Sequence, residues 1–110
     1  MSPNKKKKWL AALRSGKYRH IRGQLCDGKS GFCCIGVLAE ISPKVVKRSA
    51  KGRVVGYVSV EDGIVSSFKM LRNEDLYRLG LNPMKARELA EANDRSSNYD
   101  KAIEIIKSSI

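Results

Sequence analysis

The sequence predicts an α+β fold: about four short antiparallel strands, arranged as two hairpins, packed with helices at both ends of a single domain spanning residues 1–110. Three observations predict it. Apolar residues recur at helical spacing near the start and again over residues 73–110, β-branched residues crowd residues 53–70 around an Asp-Gly turn, and glycine or proline marks most changes of pattern.

Residues 1–4 are expected to form a flexible basic start. A first helix near residues 5–15 follows, because Trp9, Leu10, Ala12 and Leu13 keep a helical spacing and Ser15-Gly16 supplies a stop. Tyr18 to Cys26 alternates loosely and leads into Asp27-Gly28-Lys29-Ser30-Gly31, a loop that predicts a small hairpin whose second strand opens at Phe32. From Cys33 to Ile41 the apolar residues are nearly continuous until Ser42-Pro43, which reads as a buried helix. Val45 and Val46 are too short a run to assign.

Val54, Val55, Tyr57, Val58 and Val60, then Glu61-Asp62-Gly63, then Ile64, Val65 and Phe68 predict a second hairpin. The remainder reads as helical. Asn73 to Gly80 has a capping residue, early acids and a terminal glycine, while Asn82-Pro83 opens a helix to about Asn93. Ser97 with Asp100 resembles an acidic capping box before a last helix carrying Ala102, Ile103, Ile105 and Ile106.

The 110 residues carry a formal charge of +11, with 42% apolar and 6% aromatic residues. Residues 1–30 hold +8, residues 31–60 hold +4 and residues 61–110 hold −1. Like charges so concentrated repel one another and favour a polyanionic partner. No apolar run approaches the roughly 18 residues of a membrane-crossing helix, and the lysine-rich start lacks the apolar stretch of a secretory signal. The expected location is therefore the cytoplasm.

Within the basic half, Arg14, Lys17, Tyr18, Arg19, His20 and Arg22 are the candidate ligand-binding residues. They mix guanidinium forks, an aromatic face and an imidazole, which together suit a phosphate and a base. Lys5 to Lys8 would add electrostatic capture. The expected partner is nucleic acid or an anionic nucleotide, with an acidic host protein as a further option and no membrane.

Other motifs read more blandly. Cys33 and Cys34 are adjacent, and with Cys26 and His20 they lack the paired spacing of a zinc site, so no metal and no cofactor is expected. A cysteine nucleophile with His20 as base would need the two brought together by the fold; buried packing is the simpler reading of Cys-Cys between Phe32 and Ile35. Gly28, Gly31 and Gly36 lack the Gly-x-Gly-x-x-Gly spacing of a dinucleotide fingerprint, and turn chemistry accounts for the first two. Gly36 reads as allowing close packing, and Asn93-Asp94 as capping side chains. No catalytic residue is assigned, and a non-enzymatic role is expected.

Several segments together resemble a group of small, uncharacterised proteins of phages and prophages. They are Trp9-x-x-Ala12-Leu13-Arg14-Ser15-Gly16-x-Tyr18, Leu25-Cys26-Asp27-Gly28, Phe32-Cys33-Cys34-Ile35-Gly36-Val37-Leu38, Leu89-Ala90-x-x-Asn93-Asp94, and Tyr99-x-x-Ala102-Ile103-x-x-Ile106. Similar proteins tend to have Gln-Gly after the tyrosine, where His20 and Ile21 stand here. The resemblance implies a phage-type accessory protein and no reaction; counter-defence, by sequestering a nucleotide signal or inhibiting a host protein, is the alternative function.

Overall fold

The computed structural model describes residues 1–51 and 53–110, with the backbone alone at residues 50 and 53–55. Ser2 sets the start of the first helix, because its Oγ accepts a hydrogen bond from the Lys5 amide at 3.2 Å. Pro3 follows, where its missing N–H costs nothing and its fixed φ suits a first turn. Helix α1 therefore spans Pro3–Arg14 and takes in residues 3 and 4 of the expected flexible start. Its apolar stripe buries Trp9 and Leu13.

The apolar run after Phe32 is helical, as its length suggested. Helix α2, Cys34–Ile41, buries every residue from Cys34 to Ala39. A helix apolar all round belongs inside a core, and α2 packs against α1 on one side and the later helix Pro83–Asp94 on another. Gly36 permits this. A Cβ there would lie 1.8 Å from the Leu25 carbonyl oxygen, so only glycine lets the 25–26 segment cross so closely.

The first expected hairpin is corrected. Strands β1, Arg19–His20, and β2, Gly31–Phe32, pair in parallel, and the Asp27–Gly31 loop is closed by one antiparallel bridge between Cys26 and Phe32. The reason lies outside the segment. The Ile21 amide still donates to the Phe32 carbonyl at 3.2 Å, but the Ile21 carbonyl and the Gly23 amide are taken by the side chains of Asn93 and Asp94, so beyond Ile21 the chain is tied to a helix end.

The second hairpin is present and larger than expected. Strands β3, Val45–Ala50, β4, Arg53–Ser59, and β5, Val65–Ser67, form an antiparallel sheet in that order, with Val46 opposite Val58 and Val58 opposite Val65. The Asp-Gly turn joins β4 to β5, and Gly63 takes the left-handed φ of 69° that the turn requires. Val54 and Val55, part of the predicted strand, lie in β4; their side chains are outside the described residues.

Helix α3, Asn73–Arg78, helix α4, Pro83–Asp94, and helix α5, Asp100–Ser109, complete the fold. Asn82 caps α4 by accepting from the Met84 amide at 2.7 Å. The expected Ser97–Asp100 box is replaced by Asn98, whose Oδ1 accepts from the Asp100 amide at 2.9 Å. Nor does Asn73 cap α3, since Arg72 holds the N-cap position without a side-chain bond. Among the described residues no helix is long and apolar enough to cross a membrane.

An ionic cluster fastens the β4–β5 turn to α3. Asp75 is fully buried and accepts from Ser66 Oγ at 2.9 Å and from Arg72 Nε at 3.0 Å, while Asp62 takes both a second Arg72 nitrogen and Arg78. The Ile64 amide, against opposing desolvation and with Arg72 and Arg78 assisting, holds the Asp62 carboxyl down to about 2. A depressed carboxyl stabilises the fold fully above its unfolded pKa near 3.8, and this contribution is lost as pH falls toward 2. Asp62→Asn should therefore lower the melting temperature at pH 6, with the gap to the parent closing between about pH 4 and pH 2; a gap of constant size in a pH series of thermal melts would contradict the assignment.

Candidate functional site

The residues that dominate the sequence motifs meet at the N-terminal end of α2. Cys33 caps that helix through its sulfur, which accepts from the Gly36 amide at 3.3 Å. Asn93, fully buried at the end of α4, accepts from the Cys34 amide at 3.1 Å and donates to the Ile21 carbonyl at 2.8 Å. Trp9 donates its indole N–H to the Cys34 carbonyl at 2.9 Å, and Tyr99 its hydroxyl to the Phe32 carbonyl at 2.5 Å. Asn93 thus satisfies the Cys34 amide, one of the donors a helix start leaves unpaired, while Trp9 and Tyr99 fasten the carbonyls on either side of it.

The cysteines belong to this packing. All three are free and buried. Burial pushes the Cys33 thiol up to about 11 and the Cys34 thiol well above its ordinary value, which keeps both protonated at neutral pH. Cys34 donates its S–H to the Leu89 carbonyl. His20, the only imidazole, faces elsewhere: its Nε2 is 3.0 Å from the Asn93 carbonyl oxygen, and its ring meets Tyr99 edge to face. A carbonyl only accepts, so Nε2 carries the hydrogen.

The structure separates the six candidate residues into two groups. Arg19 is ion-paired with Asp27. Desolvation pulls the Asp27 carboxyl up, yet the Lys29 and Gly31 amides and the Arg19 guanidinium together hold it below its usual value. Arg22 donates from Nε to the Ser96 carbonyl at 3.1 Å, which braces the loop with its charge still at the surface. Arg14, Tyr18 and His20 line one recess, at the end of α1 and the start of α5. Lys17 stands at its edge, with Nζ 5.7 Å from the centre of the Tyr18 ring.

Sequence reasoning missed Lys47. Its Nζ lies 5.8 Å from the centre of the Phe32 ring, and Phe32 in turn meets Tyr18 edge to face at 5.3 Å. A basic residue on an unassigned strand carried no local signal, because only the fold brings Lys47 close to Phe32.

Charge is balanced differently in the two halves. The carboxylates of residues 1–60 are Asp27 and Glu40, and each is already held, by Arg19 and by Lys47. Among the described residues Arg14, Lys17 and Arg22 form no ion pair with a carboxylate. In the second half Glu61, Asp62, Asp75, Glu88 and Glu104 are paired with local cations.

No curated protein and no solved structure matches the chain. A family model matches it over residues 1–110, the full span that holds both the α2 hub and the basic surface, and the chain belongs to that family, described as a domain of unknown function, DUF8296.

Proposed function

We propose that the protein is a non-enzymatic binder of an anionic ligand, nucleic acid, held through the basic first half. The observation that carries this reading is the shared aromatic pair. Lys17 and Lys47, thirty positions apart, each stand over one ring of the Tyr18–Phe32 contact, and Arg14 lines the recess beside it. Lys47 is shared with Glu40 and Phe32 is buried, so among the described residues Lys17 and Arg14 are the cations without a carboxylate partner beside the Tyr18 ring, an arrangement that suits a phosphate with a base next to it. In the phage-type setting implied by the sequence resemblance, this is an accessory role on nucleic acid within a cell.

The state of the site's imidazole and of the nearby thiols favours binding over a cysteine-based reaction. Its imidazole is committed to Asn93, and the nearest thiols are protonated and buried. A free nucleotide, as in counter-defence by sequestration, is the second reading, favoured by the concave shape of the Tyr18–His20 recess.

Anisotropy of labelled duplex and single-stranded oligonucleotides tests the proposal. The combined variant Arg14→Ala, Lys17→Ala, Arg22→Ala should bind at least roughly tenfold more weakly at low salt, because each lost cation removes a counterion-releasing contact. Arg19 is left in place because it holds the Asp27 loop. Unchanged affinity in this variant would refute the site, and stoichiometric nucleotide binding without oligonucleotide binding would favour the second reading.

A further inference from the structure

The recess between the end of α1 and the start of α5 has a volume of about 390 Å³ and combines aromatic walls with a balanced pair of charges. Tyr18, His20 and Tyr99 supply the rings. Arg14 and Asp100 supply one charge of each sign within its lining. Its shape and polarity suit a flat, neutral heterocycle.

The hydrogen-bonding groups left over define that heterocycle further. Tyr99 has spent its hydroxyl on Phe32, His20 its Nε2 hydrogen on Asn93, and Asn98 its Oδ1 on the Asp100 amide. What remains includes the Asp100 carboxylate and the second imidazole nitrogen as acceptors, the Asn98 amide nitrogen and Arg14 as donors, and the Tyr18 hydroxyl as either. A carboxylate accepts only. Cytosine, adenine and guanine offer an exocyclic amine to it, whereas the one ring N–H of thymine lies between two carbonyl oxygens that the carboxylate repels.

We propose that this recess holds one unpaired, amine-bearing nucleobase of a single strand, stacked beside Tyr18 and bonded through its amine to Asp100. The inference rests on the nucleic-acid reading above and deepens it: the outer cations hold phosphates without regard to sequence, and the recess selects a base. A base locked in a duplex cannot reach it, so single strands are preferred.

The decisive comparison is between short oligo-dC and oligo-dT strands, two flexible pyrimidines that differ at the amine. Oligo-dC should bind roughly tenfold more tightly, the worth of one hydrogen bond to a charged group. Asp100→Asn, at an exposed position, should erase most of that ratio while leaving oligo-dT affinity the same or slightly higher. A strand carrying 2-aminopurine should lose fluorescence on binding, and the loss should shrink in Tyr18→Leu. Equal dC and dT affinity, or a ratio that survives Asp100→Asn, would overturn the base pocket while salt-dependent binding left the electrostatic reading standing. Absence of binding to every strand would overturn both. Cytidine monophosphate binding as tightly as the dC strand would overturn the strand as occupant.

Discussion

Replacing Gly36 by alanine destabilises the domain by about 3 kcal/mol or more, against the usual direction of such a change. Inside a helix, glycine to alanine ordinarily stabilises by roughly 0.5–1 kcal/mol. Here the added methyl would sit 1.8 Å from the Leu25 carbonyl oxygen and 2.8 Å from its carbon, both backbone atoms that no rotamer change can move aside. Relief requires shifting α2 away from the 25–26 segment. That would weaken the bond from the Cys33 amide to the Leu25 carbonyl, now 3.1 Å, and disturb the bond from the Leu25 amide to the Phe68 carbonyl, now 2.6 Å. For a domain of this size the loss corresponds to a fall in melting temperature of roughly 10–20 °C. A thermal melt within a few degrees of the parent would show that the close approach is not required.

Asn93→Ala should produce the second largest loss, about 2–5 kcal/mol. The substitution leaves the buried Cys34 amide without its acceptor, at about 1–3 kcal/mol, and the part-buried Ile21 carbonyl without its donor, with the loss of the packed side chain added to both. Domains of this kind have only about 5–15 kcal/mol in total. Asn93→Asp is the informative companion: it retains an acceptor for Cys34 but turns a carboxylate oxygen toward the Ile21 carbonyl and the Asp94 carboxylate, where the amide nitrogen now donates. It should be no more stable than the alanine variant. Chemical denaturation of the parent and both variants, with slopes compared, measures the effect; a loss below about 0.5 kcal/mol in both would remove Asn93 from its structural role.

These two expectations bear on what the sequence motifs mean. The Trp9, Cys33-Cys34-x-Gly36, Asn93 and Tyr99 elements lie far apart in the chain, yet their bonds converge on the start of α2. Read along the sequence, the cysteines suggest buried packing and Asn93 a capping side chain, without a common target. In the fold the set is the device that lets an apolar helix begin inside the core with its backbone groups satisfied.

The helices were legible because their signals are local: Pro3 and Pro83 at first turns, Gly16 and Gly80 beyond last ones, and apolar stripes at helical spacing. The 61–63 turn was legible for the same reason. Strand β3 was not, since Lys47, Arg48 and Ser49 are exposed and polar and gain their order from pairing with β4. The parallel β1–β2 pair was hidden more deeply. It is two residues long, and the Asn93 and Asp94 bonds that shape the chain beside it reach across more than seventy positions. Of the candidate site, the cluster from Arg14 to Arg22 was visible as composition, but its division into bracing residues and recess-lining residues depends on partners in α4 and α5.

The claim that the first half gathers its cations to hold a polyanion is tested most directly by the salt dependence of binding. Association constants for a single-stranded oligonucleotide, measured across a salt series, should fall on a log-log line whose slope is about −0.7 for each phosphate contact. With Arg14, Lys17 and Arg22 replaced by alanine, the line should be shallower by about 2 units. A flat line for the parent protein, or parallel lines for parent and variant, would contradict the account.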